Sequence, residues 1–549
     1  MPAPRTAQPS LHPRAKQLAR EERLGTLSRR EFLATATALG VSGAAAYGLI
    51  GATPMAAQPR TGRMGGTLRA AMNVMKMDDP RLFDWPDMGN LGRQVLETLV
   101  RYSNDMTFQP MLLDSWQANE DATRYVLHIR EGVLWSDGST FDAQDVAHNI
   151  RRWCDRNAAG NSMAARMGTL IDPDTNQLAD GVMRVEDAYT ITLTLPRPDI
   201  TLIPGMSDYP ALIVHRSFDG SVPLSEGAIG TGPFRLIELA VGHHATFEKR
   251  DPATYWGQEV YLDRIEMRDY GADKTAQLEG FLAGEVDVND QTQHEFVERL
   301  DQAGFARTHI DTAATIVARM NVTHPPYDNK IVRNALQLAV NNAIVLELGH
   351  GNYGTPAENH HVGPMHPEYA ALPRIAPNPD RARAMLVQAG HLNTEFELIS
   401  TDGDWRTMTS DAIAAQLMDA GIRVKRTIIS GNAYAQNWAN YPFSTTDWNH
   451  RPLGVQNLAL AYRSGEAWNE TGYADEEFDA LLNAALALPD ADQRRVIMAG
   501  VERKLQDSGV IIQPYWRSVF AHSAQNVHNY TVHPLLEMHL NNVWLEPEA

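Results

Sequence analysis

"NPDRARAMLVQAGHLNTEFELISTDGDWRTMTSDAIAAQLMDAGIRVKRTII" (residues 378–429) decides the fold class of this 549-residue chain. Asn378 stands where a helix N-cap belongs, with Pro379 at the first helical position. Ala382, Met385, Leu386 and Ala389 share one face, and Gly390 stops the helix. "EFELIS" (395–400) reads as a strand, "DAIAAQLMDAG" (411–421) as a second helix ended by glycine, and "IRVKRTII" (422–429) as another strand. Together they predict a β-α-β unit, the mark of an α/β lobe. A later helix, "DEEFDALLNAALAL" (475–488), aligns Phe478, Leu481, Leu482, Ala485 and Leu486.

The N-terminal half is patterned differently. "GGTLRAAM" (65–72) reads as a first strand. "TRYVLHIR" (123–130) and "TITLTL" (190–195) alternate with the period of two expected of strands. Between them "SDGSTFDAQDVAHNIRRW" (136–153) gives a turn at Asp137-Gly138 and a helix opened by Asp142, with Asp145 three residues on. This clustering predicts a small α+β subdomain.

The start of the chain stands apart. "SRREFLATATALGVSGAAAYGLIGA" (28–52) sets Arg29 and Arg30 before an uncharged stretch from Phe32 to Ala52. That length suits a membrane span of roughly 20 residues. Seven alanines and four glycines, however, make it rich in small residues rather than lipid-loving. With Ala56 and Ala57 behind it, the stretch has the charged, apolar and cleavable parts of an export signal, and "SRREFL" resembles the twin-arginine signature. Residues 1–27 are polar with four prolines, and residues 1–57 are expected to lie outside the fold as a disordered n-region and signal.

Bulk properties agree with an exported chain. Residues 1–57 carry a net +4, so against a total of −19 the remainder carries −23. Such acidity argues against nucleic acid or an anionic membrane as the main partner. Cys154 is the sole cysteine, which forbids an intrachain disulfide, and it is expected to be a buried small hydrophobe. About 490 residues beyond the signal suit two or three domains.

Enzymatic templates mostly fail. The sequence has no phosphate-loop, H-E-x-x-H or G-x-S-x-G pattern. In "GTGPF" (230–234) a G-x-G is followed by Arg235 where a dinucleotide fingerprint needs its third glycine, so a tight turn is the better reading. His360, His361 and His366 could seat a soft divalent metal, but three nearby prolines fit a solvated loop better. "DWNHRPLG" (447–454) gathers Trp448, Asn449, His450 and Arg451. An aromatic face, an amide and a guanidinium there could grip a polar small molecule. Equally, Trp448 could fill a core and Arg451 pair with a surface carboxylate.

An ordered series of motifs resembles the family 5 extracellular solute-binding proteins, the dipeptide and oligopeptide type that serves ABC importers. It comprises "VLETLVRY", "SWQANEDATRYVLHIREGVLWSDGSTFDAQDV", "GTGPFRL", "YLDRIEM", "LAGEVDV", "PPYDNKIVRNALQLAVN", "NPDRARAMLVQAG", "DWNHRP", "WNE" and "YADEEFDALL". The resemblance implies a two-lobed type II periplasmic binding protein fold, α/β in class, with an extra α+β subdomain. Lobe I would take 64–97 and 211–312, the subdomain 98–210 and lobe II 313–518, with 519–549 returning to lobe I. It implies a periplasmic protein with no enzymatic activity and no cofactor. Its partners would be a small-molecule ligand, the permease of an ABC importer and the twin-arginine export machinery, with no nucleic acid. In peptide-binding members a lobe II tryptophan lines the cleft and an aspartate three residues later holds the ligand's amino group. Trp448 matches the tryptophan, but the later position is Arg451. A guanidinium repels an amine and attracts carboxylate, phosphate or sugar hydroxyls, so the expected ligand is peptide-like, opine-like or otherwise anionic or hydroxyl-rich. Asn449, His450 and Tyr434 complete the expected ligand-binding set, Tyr434 as an aromatic wall.

Two rival functions share these residues: a metal or metal-chelate receptor using the His360, His361 and His366 loop, and an exported hydrolase using carboxylates such as Asp137, a residue that could equally be a turn former. The routing has a direct test. Replacing Arg29 and Arg30 together with lysine should leave the precursor in the cytoplasm, because a twin-arginine route reads that pair; fractionation that finds normal periplasmic maturation would refute it.

Overall fold

The computed structural model describes residues 12–25, 27–52, 62–271, 273–402, 405–488 and 491–547. Strands Glu395–Thr401 and Arg423–Ile429 pair in parallel, Glu395 opposite Arg423, and helix Trp405–Asp419 connects them. Asn378 caps helix Pro379–Gln388 by accepting the Arg381 amide at 2.9 Å. The inward faces of these elements bury Phe396, Leu398, Ile413, Leu417 and Leu386 in one cluster. Each such large side chain contributes about 1.5–3 kcal/mol through burial. The second helix begins at Trp405, earlier than Asp411, because buried Trp405 and Thr409 extend its core face.

This parallel pair joins a larger sheet. Ile399 bridges in parallel to Ser444 of strand Phe443–Trp448, which runs antiparallel to the far part of the long strand Ala306–Met320. That strand and Tyr515–Ser523 are antiparallel partners that leave this half of the molecule and enter the other. Their register runs from Ala306 opposite Ser523 to Asp311 opposite Ser518, breaks, and resumes with Thr315 opposite Trp516. Polar groups at the break are satisfied locally: the Thr312 hydroxyl donates to the Arg517 carbonyl at 2.8 Å, and the Ala313 amide donates to His450 Nδ1 at 3.2 Å. In the other half, strand Thr67–Ala71 lies between Arg264–Arg268 and Val288–Asn289, parallel to both. His244–Lys249 and Phe234–Ala240 extend this sheet antiparallel.

A separate four-stranded antiparallel sheet holds the alternating segments. Arg124–Ile129 lies between Leu113–Ala118 and Thr190–Thr194, and Met183–Asp187 forms the far edge. Helix Ala143–Trp153 starts with a reciprocal capping box between Asp142 and Asp145. Asp145 is fully buried. It accepts the Trp135 indole N–H at 3.1 Å and the Arg216 guanidinium at 2.7 Å, which ties the turn, the helix and the segment after Tyr209 together. Asp137 instead sits exposed in its turn, accepting the Ser139 amide and hydroxyl at 2.9 and 2.6 Å. Cys154 is buried, and burial pushes its thiol well up.

The N-terminal expectation needs correcting. Residues 1–11 and the region of Ala56 and Ala57 lie outside the described residues, but the rest of the segment is not disordered. It forms helices Ala15–Arg23, Arg29–Ala38 and Gly43–Leu49 packed on the body. The Trp116 indole donates to the Ala38 carbonyl at 3.1 Å, and the Phe108 amide donates to Thr37 Oγ1 at 2.9 Å. The same small residues that make the stretch a poor lipid anchor let it approach closely. Gly40 has φ +90°, and a Cβ there would lie 2.5 Å from the Trp116 carbonyl oxygen. Phe32 and Leu33 are buried while Arg29 and Arg30 stay exposed. Among the described residues no helix is long and apolar enough to cross a membrane.

Asp145→Ala should lower stability by on the order of 3 kcal/mol, since the buried Trp135 indole loses its acceptor and Arg216 loses its carboxylate partner. Asp137→Ala should be close to neutral. Denaturant melts of the two variants compare them directly, and equal midpoints would remove Asp145 from its structural role.

Candidate functional site

Where the two halves meet, a cavity with about 360 Å³ of empty space opens beside the end of strand Phe443–Trp448. Asp84, Trp85 and Tyr209 line it from the first half. Trp438, Thr446 and Asp447 line it from the second, with Trp448, Asn449, Arg451 and Trp468.

A buried carboxylate fixes these walls. Glu470 Oε1 accepts the Trp448 indole N–H at 2.9 Å, and its Oε2 accepts the Thr446 hydroxyl at 2.6 Å and Arg319 Nε at 2.9 Å. The Arg319 guanidinium also donates to the carbonyls of Trp438 and Tyr441. Burial pushes the Glu470 carboxyl up, against the pull of Arg319. The result is a corner of three indoles. Trp448 and Trp468 have centroids 5.9 Å apart at 67°, Trp438 and Trp448 6.4 Å at 73°, and Trp438 and Trp468 6.5 Å at 76°.

Arg451 lies at the cavity and is itself buried. Its Nε is 3.0 Å from Asp208 Oδ2, its Nη1 donates to the His450 carbonyl at 3.0 Å, and its guanidinium sits 5.5 Å from the Tyr209 ring centre. Asp208 also receives Arg166 at 2.7 Å. Burial alone would raise Asp208, but the two guanidiniums hold its carboxyl below the ordinary value. Arg451 therefore lines the cavity while its partner is the buried Asp208, not a surface carboxylate. Asp447 is paired by Arg406 at 2.7 Å.

The other expected residues are placed differently. Asn449 lines the cavity, and its buried Oδ1 has no hydrogen-bond partner among the described residues. His450 is buried beside the strand break and stacks on His366 at 5.8 Å, facing an adjoining small cavity with Tyr102 and Arg30. Tyr434 does not line the cavity. Its hydroxyl lies beneath strand Phe443–Trp448, bonded to the Thr445 carbonyl at 2.8 Å and Thr446 Oγ1 at 2.7 Å, so it supports the wall from behind.

The expected solvated loop with His360, His361 and His366 is buried instead. His360 Nε2 pairs with Glu358 at 2.9 Å, His361 Nδ1 with the Tyr462 hydroxyl at 2.9 Å, and His366 Nε2 with the Arg451 carbonyl at 3.1 Å. Burial pushes His361 down to about 3 and His366 down to about 4. Each ring serves its own partner, so the three do not form a ligand set. Among the described residues the only trio with metal-binding spacing is His533, Glu537 and His539. It does not fit a cation: His533 uses both ring nitrogens, on the Leu535 amide and the Tyr102 carbonyl, and Arg93 lies 2.9 Å from Glu537.

Asp84, Trp85, Trp438 and Asp208 were not singled out in the sequence. "WNE" does contain Trp468 and Glu470, and the Trp85-Pro86 step at a helix start could have marked the first-half wall.

Residues 107–470 match the bacterial extracellular solute-binding proteins, family 5. The chain is 24% identical over 537 residues to the dipeptide-binding protein DppE of Bacillus subtilis strain 168, covering 91% of this chain and 96% of that protein. Its fold is similar to that of the oligopeptide-binding protein AppA of Bacillus subtilis in complex with a nonapeptide (TM-score 0.79, 18% identity, 89% of this chain and 100% of that one). It is equally similar to AgaA of A. tumefaciens R10 in complex with agropinic acid (TM-score 0.78, 19% identity, 88% and 99%). The two-lobed binding-protein fold follows, and the relatives are binding proteins rather than enzymes. With most of its length matched, from the four-stranded subdomain to the Trp468 loop, this chain belongs to the bacterial extracellular solute-binding proteins of family 5.

Proposed function

We propose that this chain is the periplasmic substrate-binding component of an ABC importer. It captures a small polar solute between its lobes and delivers it to a transmembrane permease. The observation that carries the reading is the cavity at the junction: Asp84, Trp85 and Tyr209 come from one half and Trp448, Arg451 and Trp468 from the other, so the site is complete only when the halves meet. In this reading 64–97, 211–312 and 519–549 form lobe I, 98–210 the subdomain and 313–518 lobe II. The lobes hinge at the break between Asp311 and Thr315. Residues 1–57 carry the twin-arginine leader, with Arg29 and Arg30 at the surface.

The solute is peptide-like, opine-like or otherwise anionic or hydroxyl-rich at one end. Arg166, Asp208 and Arg451 together carry one net positive charge beside the cavity, which favours such an end. The nonapeptide and agropinic acid complexes of AppA and AgaA are compatible with this range. Asn449, with its unpaired Oδ1, selects for a donor on the solute, while His450 and Tyr434 hold the wall in place.

Solute that co-purifies should compact the protein in small-angle scattering and raise its melting temperature by mass action. An unchanged profile at saturation would sink the closing-cleft reading. Arg451→Ala should weaken that solute by about 30-fold or more, from a loss of roughly 2–5 kcal/mol when a buried charge pair is truncated, at 1.4 kcal/mol per tenfold. Arg451→Lys should recover only part, since ammonium cannot form the planar bidentate contact. In this reading the empty lobes stand open and part Arg451 from Asp208, so the melting temperature of the empty Ala variant should stay nearly unchanged. A large fall there, with unaltered affinity in calorimetry, would assign Arg451 to the resting fold.

A further inference from the structure

The carboxylates in and behind the cavity wall are not equivalent, and only Asp84 and Asp447 line it. Asp447 has Arg406, Asp208 has Arg166 and Arg451, and Glu470 has Arg319. Asp84 has none of these. Among the described residues no cationic side chain lies within ion-pair distance of it, although Arg166 and Lys76 act on its charge from farther away; it accepts the Trp468 indole N–H at 3.2 Å, and the Trp438 indole also favours its carboxylate form. Arg166 passes 4.7 Å from the Trp468 ring centre but is not part of the cavity wall and is committed to Asp208.

Beside Asp84 stands the corner formed by Trp438, Trp448 and Trp468. The three rings stand near right angles with centroids 5.9, 6.4 and 6.5 Å apart, and a cation is attracted to an aromatic face within about 6 Å of its centre. All three rings line the same cavity, and Asp84 lines it with them. A carboxylate lacking its cation beside three electron-rich faces calls for a cation from the solute. Its type follows from hydrogen-bond capacity. A primary ammonium brings three donors, and indole faces offer no lone pairs to receive them. A fully methylated, quaternary ammonium has no N–H and so no such demand, and it sheds its water more readily, so it suits the corner better.

We propose that the solute carries a methylated ammonium group, seated in the Trp438, Trp448 and Trp468 corner with Asp84 as its counter-charge. This rests on the solute-capture reading and adds a chemical class to it: a cationic group at Asp84 and an anionic or hydroxyl-rich one toward Arg451.

The test titrates choline and its uncharged isostere 3,3-dimethylbutan-1-ol into ligand-free protein, read by tryptophan emission and by competition with the co-purified solute. Choline should bind at least tenfold more tightly than the alcohol. Asp84→Asn should cost choline at least tenfold and leave the alcohol unchanged, and its melting temperature should match the parent because the amide oxygen still accepts the Trp468 N–H. Equal binding of the two probes, no binding of choline, or an Asn variant that titrates like the parent would each overturn the assignment. If the co-purified solute compacts the protein while choline neither binds nor competes, the ammonium site falls and solute capture stands. If the solute also leaves the scattering unchanged, both fall.

Discussion

The ion pair between Arg319 and Glu470 is the constraint on which the site depends. Both side chains are out of water, at 0% and 1% exposure. Taking two such ions from water costs several kcal/mol each, and attraction offsets this only when the remaining donors and acceptors are also filled. Here they are filled by the site itself: the carboxylate takes the Trp448 indole and the Thr446 hydroxyl, and the guanidinium takes the carbonyls of Trp438 and Tyr441. Four separate segments of chain are therefore held by one charge pair. The angles among the indoles are its consequence, since the Trp448 ring and the Trp438 backbone are fastened to opposite partners of the pair.

That pair lies in one lobe, on the far side of the strand break. The two long strands through Asp311 and Ser518 pair on either side of the break, and the irregular stretch between Asp311 and Thr315 joins the two halves. Walls fixed by Arg319 and Glu470 on one side then face Asp84 and Asp208 on the other. The proposed closure would bring together groups already rigid within their own lobes. Little side-chain ordering remains to be done when solute arrives, and ordering is a principal cost of binding.

Much of the fold was legible because its signals are local. The period of the apolar residues in 378–429 and the alternation in Thr123–Arg130 specify helix and strand from a few neighbours, and Asp142 with Asp145 marks a helix start within one turn. The site was legible only in part, since its partners are distant in the chain. Trp448 and Arg451 could be picked out as a gripping segment, but Asp208, 243 positions earlier, could not be paired with Arg451 by any local pattern. Tyr434 reads as a wall by its likeness to the family, but its hydroxyl has three hydrogen-bonding partners under the strand. The histidine loop was read as solvated from its prolines, yet Glu358, Tyr462 and the Arg451 carbonyl supply the partners that let it be buried. The leader was set outside the fold because its composition matches an export signal. The same alanines and Gly40 permit close packing on Trp116, a contact that only the folded body provides.

The arrangement of charge around the cavity also limits what can bind. Tyr209 stands between the two charged regions: its ring lies under Arg451, and its hydroxyl donates to the Asp84 backbone carbonyl at 2.8 Å. On one side the Arg166, Asp208 and Arg451 trio is net positive; on the other Asp84 is net negative, with indole faces beside it. A solute carrying a single charge would satisfy one region and leave the other uncompensated in a partly dry space, where an unpaired charge costs far more than in water. A dipolar solute satisfies both, and only in one orientation, because the reversed molecule would set its cation against Arg451 and its anion against Asp84. In the proposed reading, selectivity would come from the distance between the solute's two charged groups as much as from either group. That distance is set against walls whose positions trace back to Arg319 and Glu470.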